Sequence, residues 1–461
     1  MAFRMSSLLA LALPAIATAS SVPTRDVVSS TSDSIQSPGF ISFPIKHRAT
    51  KSLSARDATA SLVNEDETSY LIELTFGSNA QSVKVAIDTG SNELFVNPNC
   101  TDADFAPSIQ KECKADGHYD PDTSTSSDVT GEKTEIVYGS GAVILEYVVD
   151  SIGIPGTGAN LSEVQFGVAT TSKDLNEGIL GLGFGEGYNL NYSNFIDQLA
   201  SQKVTNTKAF SVALGNSETA GGNIIFGGVD TKKFSGSLAS SDIQDPAKGD
   251  IQRYSVQLNS IAFTNSSAST KYDDSDLSIV LDTGSSLCEL PTTIVSAMAD
   301  DFGAVEDDSG LLYVDCAYQS VDGSLDFAFD GVTISVPFKD FILPDGNECV
   351  LGVQAFDSTS GITALLGDTF FRSAYVVFDQ TNMKISLAQY VNCGTNEQAI
   401  PTGKNGVSSF KGECDSNSTS SSSSSGDDSD SSKSAGDITK PVAATSIVGF
   451  VTALAALLAL F

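Results

Sequence analysis

Ala86-Ile87-Asp88-Thr89-Gly90-Ser91 and Val280-Leu281-Asp282-Thr283-Gly284-Ser285 write one pattern twice, 194 residues apart. In each, a short apolar strand runs into a tight turn. Gly90 and Gly284 let backbone N–H groups approach the carboxylate, and Ser91 and Ser285 are placed to donate hydrogen bonds to it. One Asp-Thr-Gly alone reads as an ordinary Asp-capped turn. Two, each preceded by apolar residues and separated by a lobe's length, imply related halves that bring their turns together.

Carboxylates meeting about such a pseudo-two-fold axis cannot both ionise freely, so they share one proton over an acidic range. One residue type then supplies both a base and an acid. The ionised member can take a proton from a water as it attacks a peptide carbonyl. The protonated member polarises that carbonyl and stabilises the tetrahedral diol. This chemistry needs no covalent intermediate, cofactor or metal. His47 and His118 are the only histidines, so no His-rich metal site is expected. No Lys follows Tyr138-Gly139-Ser140-Gly141, which excludes a phosphate loop. A net charge of −32 argues against a nucleic-acid partner.

Around the two turns the chain resembles the pepsin-like aspartic endopeptidases. Asp88 to Val96 resembles the family's first catalytic turn, and Asp282-Thr283-Gly284-Ser285-Ser286 with Leu290-Pro291 its second. Tyr138, Gly139, Ser140 and Gly141 match the hairpin flap that closes over substrate. Glu177 to Gly183 and Ala364 to Asp368 resemble the apolar-apolar-Gly strands beneath the turns, with Phe371 to Asp379 continuing the second. Gly221 to Asp230 fits the strand near the lobe junction. The matches span about residues 66 to 395, in the family's order. The resemblance implies a bilobal all-β fold, with Asp88 and Asp282 as the dyad and Thr89, Gly90, Ser91, Thr283, Gly284 and Ser285 supporting it. It implies protein or peptide substrates lying extended between the lobes of a monomer. This chain departs from the family in having Phe95 in place of the usual Trp, and Cys288 at a normally apolar position. Glu93 and Glu289 add acidity near the turns. A silent binding protein or a structural wall glycoprotein is the alternative, set aside because both turns are intact.

Both ends of the 461-residue chain change character. Residues 1–19, with Arg4, an apolar run from Leu8 and Ala17-Thr18-Ala19, read as a signal peptide. Residues 20–56 carry Arg25, Lys46, Arg48, Lys51 and Arg56 against Asp26 and Asp33, before a strongly acidic body. That reversal suggests a propeptide held by charge and released when carboxylates protonate, with a plain linker as the bland alternative. Residues 57–245 and 246–397 are expected to be the two lobes, joined near 240–255. Many short apolar stretches imply strands, among them Tyr70 to Phe76, Val83 to Ile87 and Tyr254 to Phe263. Asn194 to Gln202 and Thr292 to Phe302 have helical spacing.

Residues 398–436 are expected to form a Ser-rich stalk suited to O-glycosylation. Ser434-Ala435-Gly436, a polar spacer and the apolar run from Ile447 to Phe461 follow the pattern of a GPI-attachment signal over 437–461, with attachment at Ser434. A transmembrane tail is the rival reading. These ends resemble the fungal GPI-anchored, yapsin-like type, secreted and held at the plasma membrane or wall. Seven cysteines suit an oxidising compartment. Cys100 with Cys113 would close a loop after the first turn, and Cys316 with Cys349 resembles the family's second-lobe bridge. Cys393 and Cys414 are available to tie the domain end to its stalk, leaving Cys288 over. Asn99, Asn160, Asn191, Asn265 and Asn417 are glycosylation acceptors by pattern.

Overall fold

Alternating apolar residues make the first strands of the body. Thr68–Phe76 and Gln81–Asp88 pair antiparallel, with Leu71 opposite Ala86, and turn Leu74, Val83, Val85 and Ile87 into the core. A computed structural model describes residues 39–49, 68–101, 105–139, 141–216, 222–356, 362 and 364–415. The expected signal peptide, Ser140, Asn417, Ser434 and the attachment signal lie outside these residues. The described chain is all-β with few helices, in five sheets. Asp128–Val137 and Ala142–Gly153 form the hairpin that carries the flap, and Asn160–Lys173 pairs along its return strand.

The C-terminal half repeats this plan with different details. Leu277–Leu281 leads into the second turn and pairs with Ser255–Leu258. Tyr254 to Phe263, expected as one strand, is two. Asn259 interrupts it by donating its N–H to Ala328 O, so Ser255–Leu258 serves one sheet and Ser260–Asn265 another. The two expected helices form as Phe195–Ser201, with a capping box between Asn194 and Asp197, and Thr292–Phe302, ended by Gly303 at φ 62°. Pro107–Ala115 is an unanticipated helix with Pro in its first turn.

The halves are sewn together. Ala374–Asp379 and Lys384–Gln389 return from the C-terminal half to pair with Ala209–Ala213 and Ala239–Asp242, completing a 13-stranded sheet. Phe210 stacks on Phe378 at 4.8 Å across that junction. A boundary at 245/246 therefore marks a linker crossing and not a seam in the sheet.

Two segments differ from their sequence reading. Within the expected propeptide, Ile41–Ala49 is a strand of the large sheet. Ile41 to Ile45 pairs with Gly222 to Phe226, and Lys46 to Ala49 pairs with Thr68 to Leu71. Ile41, Phe43 and Ile45 are each 5% exposed, and Phe43 meets Phe226 edge-on. Burial and backbone pairing hold this segment in the sheet. Residues 398–415, assigned to the stalk by composition, fold onto the body instead. Glu397–Ala399 pairs with Gly228–Asp230, Ile400 and Val407 join a core with Phe234 and Tyr375, and Cys393–Cys414 closes the segment. Low-complexity Ser begins only beyond it.

Candidate active site

Each Asp-Thr-Gly turn sits where a strand ends above a parallel neighbour. Gln81–Asp88 runs beside Gly178–Gly181, and Leu277–Leu281 beside Leu365–Leu366. Leu182 N donates to Asp88 O, and Asp282 N to Leu366 O, fixing both aspartates from below. A side chain on Gly181 would collide with the backbone of Glu93, and one on Gly367 with that of Ser285, so both positions require glycine. The apolar-apolar-Gly pattern thus has one steric cause in both halves.

The two threonines lock the turns to one another. Thr89 Oγ1 donates to Leu281 O at 2.8 Å and Thr283 Oγ1 to Ile87 O at 3.0 Å. Each oxygen also accepts the other threonine's N–H. The carboxylates are held in matching fashion. Gly90 N donates to Asp88 Oδ1 at 2.7 Å and Gly284 N to Asp282 Oδ1 at 2.9 Å, while Ser91 and Ser285 hydroxyls donate to the Oδ2 atoms. A methyl on Gly284 would lie 2.4 Å from Asp88 Oδ1, and one on Gly90 2.5 Å from Asp282 Oδ1. Each glycine therefore faces the opposite carboxylate.

Burial and then the charge of Asp282 push the Asp88 carboxyl up to about 7, against the hydrogen bonds from Ser91 and Gly90. In this geometry the proton belongs to the pair. Asp88 and Asp282 line a cleft of about 820 Å³ together with Ser91, Glu93, Tyr138, Ser285, Glu289 and Phe356. Tyr138 N donates to Gly141 O across the flap tip. The Tyr138 ring lies 6.1 Å from Phe95, and its hydroxyl is buried without a hydrogen-bond partner. Phe95, which is fully buried with Val143, Leu145 and Leu175, fills space beneath the flap but offers no donor.

The acidic residues noted beside the turns have separate partners. Glu289 accepts from Gln354 Nε2 at 3.0 Å, and burial raises its carboxyl above the usual range. Glu93 accepts from Tyr147 and Tyr192. Neither tyrosine was legible as a site residue, because they lie 54 and 99 positions from Glu93 in strands and loops without a motif. Cys100–Cys113 and Cys316–Cys349 are disulfides, whereas Cys288 is free and fully buried. Burial pushes its thiol up to about 11, so it packs as an inert apolar group. Among the acceptor asparagines, Asn99, Asn160 and Asn191 are exposed and Asn265 half-buried.

Residues 69–390 match the eukaryotic aspartyl protease family. Over 334 residues the chain is 37% identical to "Secreted aspartic protease 8" of Candida albicans, covering 71% of this chain and 77% of that one. It is 32% identical over 369 residues to "Probable aspartic-type endopeptidase opsB" of Aspergillus oryzae, covering 74% of each. It is 32% identical over 401 residues to "Candidapepsin" of Candida tropicalis, covering 84% and 95%. A match of this extent, on a fold that seats two Asp-Thr-Gly turns face to face, makes the chain a member of the eukaryotic aspartyl protease family and an aspartic-type endopeptidase.

Proposed function

We propose that Asp88 and Asp282 form the catalytic dyad of a secreted endopeptidase that hydrolyses extended peptides in acid. The observation that carries this reading is the reciprocal seating of the two turns, in which each glycine faces the other turn's carboxylate. The singly protonated pair takes a proton from an attacking water and gives its own to the carbonyl oxygen. The tetrahedral diol then collapses as a proton passes to the leaving nitrogen. Thr89 and Thr283 hold the spacing, Ser91 and Ser285 orient the carboxylates, and Tyr138 to Gly141 cover the substrate. The leader keeps the precursor quiet, and a GPI anchor attached near Ser434 holds the mature, yapsin-like enzyme at the cell surface as a monomer. The names of the Candida and Aspergillus relatives agree with secretion and endopeptidase activity.

The test is cleavage of a denatured protein by the mature enzyme in acid, with and without a statine-type inhibitor. Asp88→Asn and Asp282→Asn should each lower turnover by several orders of magnitude, and the double variant should be little worse because the pair acts as a unit. Wild-type turnover in either single variant would refute the dyad.

A further inference from the structure

The two residues that follow the first catalytic turn, Asn92 and Glu93, hold the flap and the lobe linker. Glu93 Oε2 accepts from Tyr147 at 2.6 Å and from Tyr192 at 2.9 Å, whose rings meet edge-on at 5.7 Å. Tyr147 lies in Ala142–Gly153, the return strand of the flap hairpin. Asn92 Oδ1 accepts from Asn189 Nδ2 at 2.8 Å, and the same amide group reaches the linker through Gln252 O and Gln252 N at 2.8 and 2.9 Å. One dipeptide beside Asp88 thus gathers bonds from the flap strand, the neighbouring loop and the lobe crossing.

A second observation points the same way. Among the described residues of the flap tip, the Tyr138 hydroxyl is held by no close hydrogen bond and Phe95 beneath it has no donor. The hairpin is bonded to the catalytic loop lower down, where Tyr147 donates to a carboxylate that also lines the cleft. Two hydroxyls on one carboxylate oxygen fix the side chain more firmly than either alone.

We propose that Glu93 is a positioning residue. By holding Tyr147 and Tyr192 it sets the base about which the flap pivots, and so governs substrate capture and not the chemical step. This rests on the protease reading, and deepens it by naming what restrains the flap at its base.

The test expresses the full chain as wild type, Tyr147→Phe/Tyr192→Phe, Glu93→Ala and Glu93→Gln, and measures each after conversion in acid. The double phenylalanine variant should raise KM roughly five- to thirtyfold, the scale of lost hydrogen bonds to a carboxylate, while kcat changes by less than about threefold. Glu93→Ala should match it, and Glu93→Gln should recover most of the binding because an amide oxygen still accepts both hydroxyls. Amide exchange over residues 134–146 should accelerate in the first two variants and stay unchanged over 374–379. Unchanged KM, acceleration spread equally over both segments, or a Glu93→Gln as impaired as Glu93→Ala would each overturn the proposal. Should wild type cleave no peptide, the dyad reading falls while the exchange measurement still decides whether Glu93 anchors the hairpin.

Discussion

Asp88 illustrates how a residue chosen for chemistry weakens the fold that holds it. Its carboxyl is buried beside Asp282 and titrates near 7, well above the usual carboxylate value near 4. Between those values the folded chain holds a proton that the unfolded chain releases. Its contribution to stability is therefore fully present below about pH 4 and is lost as pH rises through about 7. Melting temperatures taken from pH 4 to 7 should fall in wild type and fall less steeply in Asp88→Asn. Equal slopes would mean that Asp88 titrates normally. Activity should decline through the same range as the shared proton leaves. Both aspartates were legible in the sequence because their turns are local and their glycines are required by close approach. Glu93 was legible only as an acidic neighbour, since its partners come from distant strands and its role exists only once those strands have folded together.

At the scale of the element, the two turns are one device used twice, and glycine is its tightest tolerance. An added methyl at Gly284 would stand 2.4 Å from Asp88 Oδ1, a distance no carbon and oxygen keep without one of them moving. The carboxylate is the softer party, and misplacing a reacting group by about 1 Å can cost roughly a hundredfold in rate. Gly284→Ala should therefore lose about that much kcat while the threonine bonds beneath keep the protein folded and its circular dichroism unchanged. Near-normal turnover would show that the carboxylates sit farther apart than the fold indicates. Strand existence followed from period-two burial, as at Val83, Val85 and Ile87. The break at Asn259 did not, because apolar residues continue on both sides of it and only the choice of partner sheet separates them. The helix Pro107–Ala115 also escaped, having one buried residue, Cys113, and so no apolar stripe to read.

For the whole molecule, the returning C-terminal strands and Ile41–Ala49 join strands of the N-terminal half in one 13-stranded sheet, across a boundary where the sequence presents two lobes. Composition hides the order within residues 41–49 and 398–415 for one reason: it averages over segments whose few apolar residues are enough to join neighbouring strands. Ile41, Phe43 and Ile45 are such residues, and burying each contributes about 1.5–3 kcal/mol. Salt screens the basic leader's attraction to the acidic body but does not touch that burial or the backbone ladder. Raising salt at neutral pH should thus leave the precursor inactive, and acidification should convert it. Activation by salt alone, read as peptide cleavage at neutral pH, would show that charge suffices. On the propeptide reading proposed above, maturation would run on two clocks. A cut after Arg48 or Arg56 would be a local chemical event, but Ile41–Ala49 sits between Gly222–Phe226 and Thr68–Phe76, and pulling it out opens a row in the middle of the sheet. The nicked protein would keep the shape of its precursor until the sheet had exchanged or closed that row, so the birth of the enzyme would be timed by the departure of a strand and not by the breaking of a bond.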